Sequence, residues 1–272
     1  MRRSLRILMV LICLLMGCSD RSEAPKAKSD AEATRWIVAT DTTLIPMSFI
    51  DEASQPAGFE IDLIRQIAQR AGAEMDIVSV EWPGLFGGLI TGKYDLVISS
   101  VTILEERKER MAFSIPYLTS GLALVTRRDR EDLNSLEDLR RGGMRVGAQT
   151  GTTASFFLEK EPKIRSKGYQ AYGHAITDLI NGELDAVLGE SSATLYLKNQ
   201  SKEYFEKVKM VGEILTKEHY GIVAKKTDTA LLDQVNAALA EMIAAGEVKR
   251  LHEKWELGLS SAPPELADAS AN

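Results

Sequence analysis

The chain is predicted to be an α/β protein with two similar lobes, because strands and helices alternate along it and because one helix-to-strand sequence occurs twice. The alternation runs through two series, one over residues 36–98 and one over residues 136–188. Strands separated by helices of this length form parallel βαβ units. The repeated sequence is LITGKYDLVISS at 89–100 and LINGELDAVLGE at 179–190, so the second series has the same central unit as the first.

The first series begins with a buried strand at 36–39, which ends in the polar turn TDTT. Apolar residues then recur at three-to-four spacing over 58–72, which predicts an amphipathic helix that ends at a glycine. A strand at 77–80 and a short helix that ends at Gly92 follow. The last strand, at 96–98, is apolar throughout, as is typical of a strand buried on both faces of a sheet.

The second series follows the same order of helices and strands. Two long matching series, rather than many short repeats, indicate two lobes and not a solenoid. The predicted elements are a helix at 136–140, a strand at 145–147, a helix from Thr152, a strand at 169–172, a helix at 176–180 and a strand at 186–188.

The two copies of the repeated sequence differ where each strand ends. One copy ends in Ser99 and Ser100, and the other ends in Gly189 and Glu190. Ligands bind beyond the carboxyl ends of the strands in open parallel sheets. We therefore expect Ser100 and Glu190 to face each other from different lobes across a shared cleft, with unlike chemistry on its two sides.

The N-terminus has the composition of a secretory signal. Three arginines in the first six residues precede an apolar run at 7–16, which is shorter than the roughly 20 residues that span a bilayer. The run ends in LMGC at 15–18, which resembles a bacterial lipobox. Residues 1–17 are therefore predicted to be a lipoprotein signal peptide and Cys18 to be the acylated residue. The alternative is a cysteine buried in a core helix.

Cleavage of the signal would remove Cys13 and leave Cys18 without a second cysteine in the chain. Disulfides, zinc fingers and thiol catalysis would then be excluded. Acyl chains on Cys18 would anchor the protein to a membrane surface without spanning it. The polar residues 18–35 are predicted to be a flexible tether and 259–272 a disordered tail, in a protein of the periplasm or cell envelope.

Composition argues against several other classes of protein. The net charge is −6 and acidic and basic residues are interleaved, so no basic stripe indicates a nucleic-acid partner. The three histidines are far apart, in no metal-binding spacing, and no metal or other cofactor is predicted. The chain between the polar ends, about 220 residues, is enough for one large domain or two lobes of ordinary size. We expect a monomer.

A family resemblance rests on several sequence motifs that follow one another in order. GFEIDLIRQIAQRA at 58–71 resembles the signature of bacterial periplasmic amino-acid-binding proteins of the polar amino-acid uptake class, solute-binding protein family 3. The similarity extends over residues 36–257. It is also carried by VATDTTLIPMSF, GLITGKYDLVISSVTILEERKERMAFSIPYLTSGLAL, RVGAQTGTTAS, DAVLGESSATLYL and HYGIVAKK.

The resemblance implies the two-lobe periplasmic-binding-protein fold of type II, in which each lobe is a mostly parallel sheet flanked by helices and a hinge joins the lobes. Lobe 1 would comprise 36–124 and 220–258, and lobe 2 would comprise 125–219. The chain would cross the hinge near 123–126 and again near 220–223. Such proteins capture a free amino acid and deliver it to the permease of an ABC importer in the inner membrane. A lipid anchor would keep the receptor near its transporter.

The two ends of the ligand backbone have expected partners of opposite charge. Arg107 matches the family arginine that grips the ligand α-carboxylate, and a planar guanidinium suits such a bidentate pair. The charge run EERKER alone would instead favour a solvated helix face. Glu190 would accept the α-ammonium, although many members of the family have aspartate at this position. Its alternative role is an exposed helix cap.

Hydroxyl and main-chain groups are expected to complete the site around the ligand backbone. Ser99, Ser100 and Thr102 would contact both ends of that backbone. Thr152 and Thr153 begin a predicted helix whose N–H groups suit a carboxylate. Each of these residues taken alone is more typical of a turn or a helix cap, and only their convergence on one cleft indicates a site.

Four further residues are expected around the ligand side chain. Trp82 matches the aromatic wall of the family, or alternatively packs within lobe 1. Leu44 aligns with the opposite wall, where the family usually has Phe or Tyr, so a two-sided aromatic sandwich is not expected. Asp41 and Gln149 remain as polar groups for the end of the side chain, and they favour a polar or cationic ligand.

Two other functions share some of these features. Periplasmic cyclohexadienyl dehydratases, which act on prephenate or arogenate, have this fold, and FSIPYL at 113–118 resembles a stretch of theirs. Glu190 in a dry cleft could then serve as a general acid. The carboxylate grip of Arg107 and the ammonium site at Glu190 explain the cleft without chemistry, so the prediction is a binding protein and not an enzyme. A sensory receptor would need a separate partner to pass on closure of the lobes.

Overall fold

The computed structural model describes residues 34–192 and 206–257. The strands, in chain order, are β1 Arg35–Thr40, β2 Thr43–Leu44, β3 Ser48–Ile50, β4 Pro56–Ala57, β5 Glu74–Ser79, β6 Leu96–Val97, β7 Met111–Phe113, β8 Leu118–Ser120, β9 Leu122–Arg127, β10 Arg145–Gln149, β11 Arg165–Tyr169, β12 Ala186–Glu190, β13 Val208–Val211, β14 Glu218–Tyr220 and β15 Val223–Lys225. The helices are α1 Phe59–Arg70, α2 Trp82–Ile90, α3 Glu105–Lys108, α4 Leu136–Arg140, α5 Thr153–Glu159, α6 Tyr172–Ile180, α7 Thr229–Ala244 and α8 Glu247–Lys254.

Two five-stranded sheets have matching strand orders. The first sheet has the order β5-β1-β6-β15-β7, and the second has the order β11-β10-β12-β9-β13. In each, the first three strands pair in parallel and the last two pairings are antiparallel. Four of the five strands in a sheet therefore point in one direction. The α/β class and the two mostly parallel lobes expected from the sequence are confirmed.

The repeated sequence occupies the same place in both sheets. α2 and α6 are each followed by a glycine with a left-handed backbone, Gly92 with φ of 75° and Gly182 with φ of 82°. Glycine adopts this conformation without the steric cost of a Cβ, and it commonly ends a helix. The strands that follow, β6 and β12, are central in their sheets and mostly buried. The residues that the two copies of the repeat share therefore form the central helix-to-strand unit of each lobe.

Each lobe has its own apolar core because helices cover its sheet. In lobe 1, α1 and α7 contribute Phe59, Ile64 and Leu239 to one cluster, and α2 contributes Leu85 and Leu89 to another. Full burial of such a side chain contributes about 1.5–3 kcal/mol to folding. Lobe 2 is built in the same way from two clusters around its own sheet. The helices leave the carboxyl ends of the central strands uncovered within each lobe.

The chain enters the second sheet at Gly121. β8 and β14 form a two-stranded antiparallel ribbon, and β9 begins at Leu122 and pairs with strands of the second sheet. The lobe boundary predicted between 124 and 125 therefore falls inside β9, as does the crossing predicted near 123–126. Sequence pattern does not show which sheet a buried strand joins, because that depends on its hydrogen-bond partners. Residues 220–223 lead from β14 into β15 of the first sheet.

One predicted strand is misplaced. The structure has β11 at Arg165–Tyr169, whereas a strand was expected at 169–172, and Tyr172 is the first residue of α6. β11 is the edge strand of the second sheet, and its sequence RSKGY is mostly exposed, so no apolar pattern marks it. The helix expected at 176–180 correspondingly begins earlier, at Tyr172.

Across 34–192 and 206–257, no helix has the length and apolar composition that crossing a bilayer requires. The long helix α7, for example, exposes Asp233, Gln234 and Glu241. The predicted signal peptide, the lipidation site Cys18, almost all of the tether and the C-terminal tail lie outside the described residues.

Replacement of Gly121 by alanine is expected to destabilise the protein, because an added Cβ would lie 1.9 Å from the main-chain oxygen of Thr216. Overpacking of this kind costs about 1–3 kcal/mol, which lowers the Tm measured by circular dichroism. Gly87→Ala is the control, since no atom lies within 4 Å of its added Cβ and alanine favours a helix by about 1 kcal/mol. An unchanged Tm for Gly121→Ala would contradict this close approach.

Candidate functional site

A pocket lies between the lobes at the carboxyl ends of β1, β6, β10 and β12, where open α/β sheets bind ligands. The predicted site residues line it, except Thr102, Arg107 and Thr153, which lie beside it. The lining residues are Asp41, Thr43, Leu44, Glu60, Trp82, Ser99 and Ser100 of lobe 1 and Gln149, Thr152, Tyr172 and Glu190 of lobe 2. Ser100 and Glu190, the differing ends of the repeat, thus line one pocket from different lobes.

The lobes touch around this pocket. Leu44 of lobe 1 packs against an apolar cluster of lobe 2. The Arg107 guanidinium donates to the main-chain oxygen of Gly151 at 3.1 Å, and the Thr153 hydroxyl donates to Glu218 at 2.9 Å. The first hydrogen bond joins residues of different lobes, and the second joins lobe 2 to the ribbon of β8 and β14 between the sheets. The structure is therefore that of a closed cleft.

Asp41 organises the lobe 1 side of the pocket. Its Oδ1 accepts from the N–H and the hydroxyl of Thr43 at 3.0 and 2.7 Å, and its Oδ2 accepts from the N–H of Trp82 at 2.9 Å. The Asp41 N–H in turn donates to the Ser99 hydroxyl at 3.0 Å. A carboxylate at the first turn of α2 also offsets the positive end of the helix. Asp41 therefore positions Trp82 and Ser99, and both of its oxygens have protein donors.

Glu60 is a buried carboxylate with one free oxygen. Its Oε1 accepts from the Ser100 N–H at 2.6 Å, from the Ser100 hydroxyl at 3.1 Å and from the Tyr117 hydroxyl. Its Oε2 has no hydrogen-bond partner among the described residues, although the side chain is 0% exposed. Burial raises the pKa of Glu60 to about 6. The donors on Oε1 also hold Ser100 in a left-handed conformation with φ of 50°.

Glu190 ends β12 and has an environment that disfavours its charge. Burial, together with the nearby charge of Glu218, raises its pKa to about 7, and the charge of Arg107 acts in the opposite direction. Its Oε1 lies 3.5 Å from the Thr153 hydroxyl, at the outer limit of a hydrogen bond. An ammonium group placed beside Glu190 would offset the burial and the repulsion.

Arg107 lies at the edge of the pocket rather than in its lining. Its two terminal nitrogens donate to the main-chain oxygens of Thr102 at 2.9 Å and Gly151 at 3.1 Å. The guanidinium lies over the rings of Trp82 and Phe86, 5.6 and 5.3 Å from their centroids, in cation–π geometry. Burial lowers the pKa of Arg107 from its ordinary value, although Glu190 and Glu218 oppose that effect. Two of its five N–H groups donate to main-chain oxygens within the described part of the chain.

Two aromatic side chains flank the pocket. Trp82 begins α2 in lobe 1, and Tyr172 begins α6 in lobe 2. A Cβ added at Gly189 would lie 2.4 Å from the Tyr172 ring, so the glycine before Glu190 allows that ring to pack against β12. Leu44 is nevertheless at the pocket, as expected. The aromatic residues of the pocket lining, Trp82 and Tyr172, therefore come from different lobes.

The remaining predicted contacts are engaged with neighbouring protein groups. Gln149 donates to the main-chain oxygen of Gln170 at 2.8 Å. Thr152 is the N-cap of α5, and its hydroxyl accepts from the Ser155 N–H at 3.4 Å. The Thr102 hydroxyl donates to Glu218 at 2.9 Å. These residues shape the cleft through the protein contacts that a cap or turn residue makes.

Three lining residues were not expected from the sequence: Thr43, Glu60 and Tyr172. Glu218, which lies beside the pocket, was not expected either. Glu60 could have been found, because it lies on the same helix face as Leu63, Ile64 and Ile67, and a charged residue on an apolar face is unusual. No sequence pattern indicates Tyr172 as a pocket residue, because the sequence places it in the strand predicted at 169–172. Glu218 is 28 positions after Glu190 in the chain, and only folding brings it near.

The pocket offers negatively charged acceptors and one guanidinium, with aromatic faces between them. Within the described ranges, no group of three or more His, Cys, Asp or Glu side chains is arranged to hold a metal ion. The lining contains Asp41, Glu60 and Glu190 and no lysine or arginine. Such a pocket is suited to a small zwitterion that carries additional hydrogen-bond donors or positive charge.

The fold and the interlobe pocket define a two-lobe receptor for small solutes. The chain belongs to the bacterial extracellular solute-binding proteins, family 3, whose sequence model matches residues 36–258. That match includes both five-stranded sheets and every residue that lines the pocket. The family inferred from the sequence motifs is thereby confirmed.

Similar proteins cover nearly the same length. The L-cystine-binding protein TcyJ of Escherichia coli (strain K12) is 30% identical over 248 residues, which are 90% of this chain and 91% of TcyJ. An ancestral arginine-binding protein, solved with bound glutamine, has a TM-score of 0.77 and 34% identity over 82% of this chain and 98% of its own. AncCDT-1, an ancestral amino acid-binding protein and a precursor of cyclohexadienyl dehydratase, has a TM-score of 0.75 and 32% identity over 81% and 95%. The two-lobe periplasmic-binding-protein fold expected from the sequence is confirmed.

Proposed function

We propose that this protein is an extracytoplasmic receptor that binds a free amino acid with a polar or cationic side chain between its lobes and delivers it to the permease of an ABC importer. The observation that carries the proposal is that one pocket contains Glu60, a fully buried carboxylate whose Oε2 has no hydrogen-bond partner among the described residues, and Glu190, whose Oε1 lies 3.5 Å from the Thr153 hydroxyl. Buried charged groups need donors or a counter-charge. An amino acid supplies an ammonium for one of them and, when its side chain carries N–H groups, donors for the other.

The ligand backbone would lie between Glu190 and Arg107. The α-ammonium would pair with Glu190, whose pKa is raised to about 7 by burial, and would favour the charged form of that carboxyl. The α-carboxylate would accept from N–H groups of Arg107 other than the two that donate to main-chain oxygens. Each charge-assisted hydrogen bond contributes about 1.5–3 kcal/mol.

The ligand side chain would extend toward Glu60, between Trp82 and Tyr172. The free Oε2 of Glu60 is an acceptor and the flanking rings have negative faces, so a guanidinium, an ammonium or an amide group fits better than an alkyl group. TcyJ is named for cystine and the ancestral protein for arginine. Both of these ligands end in groups that donate several hydrogen bonds.

Anchoring and assembly extend the same proposal. Acylation of Cys18, on the sequence evidence of the LMGC box, would attach the receptor to a membrane of the cell envelope. Lobe 1 would comprise the first sheet with α1, α2, α7 and α8, and lobe 2 the second sheet with α4 to α6. The receptor would act as a monomer on one permease.

A catalytic alternative uses the same pocket. The pKa of Glu190, about 7, is that of a side chain able to act as a general acid, and AncCDT-1 is described as a precursor of a dehydratase. AncCDT-1 is itself an amino acid-binding protein, and TcyJ is named as one, so binding without turnover is the function proposed here. If the protein released product from prephenate or arogenate, and Glu190→Gln abolished that activity, the enzyme would replace the binding protein as the favoured function.

Isothermal titration calorimetry with the twenty amino acids and ornithine tests the proposed function. The protein is first unfolded, dialysed and refolded to remove trapped ligand. We expect binding of one or more amino acids with guanidinium, ammonium or amide side chains, with a Kd in the micromolar range or below, as a ligand of about ten heavy atoms allows. Aliphatic amino acids should bind more weakly. Absence of heat with every compound would refute the proposal.

Ligand affinity is expected to fall at acidic pH because Glu190 must be ionised to accept the ammonium. The pKa of Glu190 in the free protein is raised to about 7, so below pH 7 the carboxyl is mostly protonated and the ligand must displace that proton. Kd should increase about tenfold for each pH unit from 7 to 6 and more steeply below pH 6, where Glu60 with its pKa of about 6 also takes up a proton. Kd should change little between pH 7.5 and 8.5. Glu190→Gln should weaken binding at every pH and remove the inflection near 7. A Kd independent of pH from 5 to 8 would contradict this assignment.

Glu60→Gln is expected to weaken binding of cationic amino acids about tenfold or more, while leaving the fold intact. The amide keeps an oxygen for the donors from Ser100 and Tyr117, but it removes the negative charge beside the pocket. Glutamine, which has no charged side chain, should lose less affinity than arginine. Glu81→Gln is the control, since it removes one exposed charge near α2 outside the pocket lining. Equal losses for arginine and glutamine would show that Glu60 only supports Ser100.

A further inference from the structure

Glu218 is a buried carboxylate in the ribbon of β8 and β14, through which the chain passes between the lobes. It is the first residue of β14 and is 8% exposed. The main chain that follows it is tied to lobe 1: the Ile103 N–H donates to the His219 oxygen at 2.8 Å, and the Gly221 N–H donates to the Val101 oxygen at 3.1 Å.

On the N-terminal side of Glu218, the Leu215 N–H donates to the Leu122 oxygen at 2.7 Å and the Leu122 N–H donates to the Thr216 hydroxyl at 2.9 Å, so the preceding residues are tied to the second sheet. Glu218 therefore lies where the ribbon passes from lobe 2 to lobe 1.

Its carboxylate accepts hydrogen bonds from both lobes. Oε2 accepts from the hydroxyl of Thr102 in lobe 1 and from the hydroxyl of Thr153 in lobe 2, each at 2.9 Å. Oε1 accepts from the Thr216 hydroxyl at 2.9 Å. Thr153 is the first residue of α5, so its position is set by the packing of lobe 2. The Glu218–Thr153 hydrogen bond is therefore an interaction that the closed arrangement makes.

The Thr153 hydroxyl lies between two carboxylates. It is 2.9 Å from Glu218 Oε2 and 3.5 Å from Glu190 Oε1, and a hydroxyl has one proton to donate. In this arrangement the proton goes to Glu218, which leaves Glu190 open to the ligand ammonium. Glu218 itself is not part of the pocket lining.

We propose that the Glu218–Thr153 hydrogen bond is a latch that holds the two lobes closed and sets how long the ligand stays bound. Glu218 is a positioning residue that acts through Thr153 and does not touch the ligand. The latch rests on the proposed function, because residence time has meaning only for a receptor that closes on a ligand. A bond that forms on closure and breaks on opening slows dissociation, whereas it has no part in the first docking of the ligand on lobe 1.

Stopped-flow fluorescence tests the latch, with Trp82 in the pocket lining as the reporter and L-arginine as the ligand. Thr153→Val removes the hydrogen bond and is expected to raise the dissociation rate about tenfold. Glu218→Gln keeps an acceptor oxygen but removes its charge, and it should raise the dissociation rate about threefold; both association rates should stay within about twofold of the wild type. The double variant should dissociate no faster than Thr153→Val alone, because both changes act on the same bond.

Thr126→Val is the matched control. The Thr126 hydroxyl is also buried, but it donates to the Asp185 main-chain oxygen at 2.9 Å entirely within lobe 2. The control should lower the Tm without changing the dissociation rate. A dissociation rate unchanged in Glu218→Gln would overturn the latch, even if Thr153→Val were faster, because Thr153 would then act on the ligand directly.

A second measurement separates failure of the latch from failure of the proposed function. If the wild type binds no amino acid, the proposed function fails. Small-angle X-ray scattering of the ligand-free proteins then tests whether the Glu218–Thr153 hydrogen bond holds the lobes closed. Thr153→Val and Glu218→Gln are expected to have a larger radius of gyration than the wild type and Thr126→Val, because loss of the latch shifts the lobes toward the open state. Equal radii for all four proteins would overturn the latch.

Discussion

The antiparallel pairing of β8 with β14 is the interaction on which the arrangement of the site depends. β8 leads from the first sheet into β9 of the second sheet, and β14 leads back toward β15 of the first sheet. Hydroxyl contacts reinforce the ribbon, since the Tyr220 hydroxyl lies 2.9 Å from that of Ser120 and 3.0 Å from that of Ser192, which follows β12. With the ribbon of β8 and β14 held in this way, the carboxyl ends of the central strands of both sheets face one pocket. The ribbon also carries Glu218 to the point where the lobes meet.

The pocket concentrates charge that the fold does not neutralise. Glu60 keeps one oxygen without a donor and Glu190 has a pKa near neutrality, so both carboxylates are held at a cost to the ligand-free protein. A ligand that brings donors and positive charge removes part of that cost, and binding then stabilises the closed form by mass action. Asp41 shows the contrast, because protein donors occupy both of its oxygens and it serves to position Trp82.

The sequence predicts the fold well where burial is strong and poorly where it is weak. The repeated unit is recognisable because β6 and β12 are buried on both faces and their preceding glycines need a left-handed backbone. β11 is an exposed edge strand and leaves no apolar pattern, so it was placed a few residues late. Within the pocket, Glu60 carried a signal as a charge on an apolar helix face. Tyr172 carried none, because its role depends on the packing of its ring across Gly189.

The sequence by itself determined the two-lobe α/β class, through local periodicity, and the family, through motifs that are contiguous in the chain. The family resemblance also predicts Arg107 and Glu190 as the two charged poles of the site. Tertiary structure alone decided which carboxylates have donors and which do not. Ser100 with Glu60, and Thr153 with Glu218, are pairs 40 and 65 positions apart that meet across elements and lobes. Whether a buried polar group has a hydrogen-bond partner depends on such contacts between distant parts of the chain. The repeat LITGKYDLVISS and LINGELDAVLGE illustrates the difference. The residues that its two copies share form the central strands of the sheets, whereas the hydrogen-bond partners of its last residues come from elsewhere in the fold.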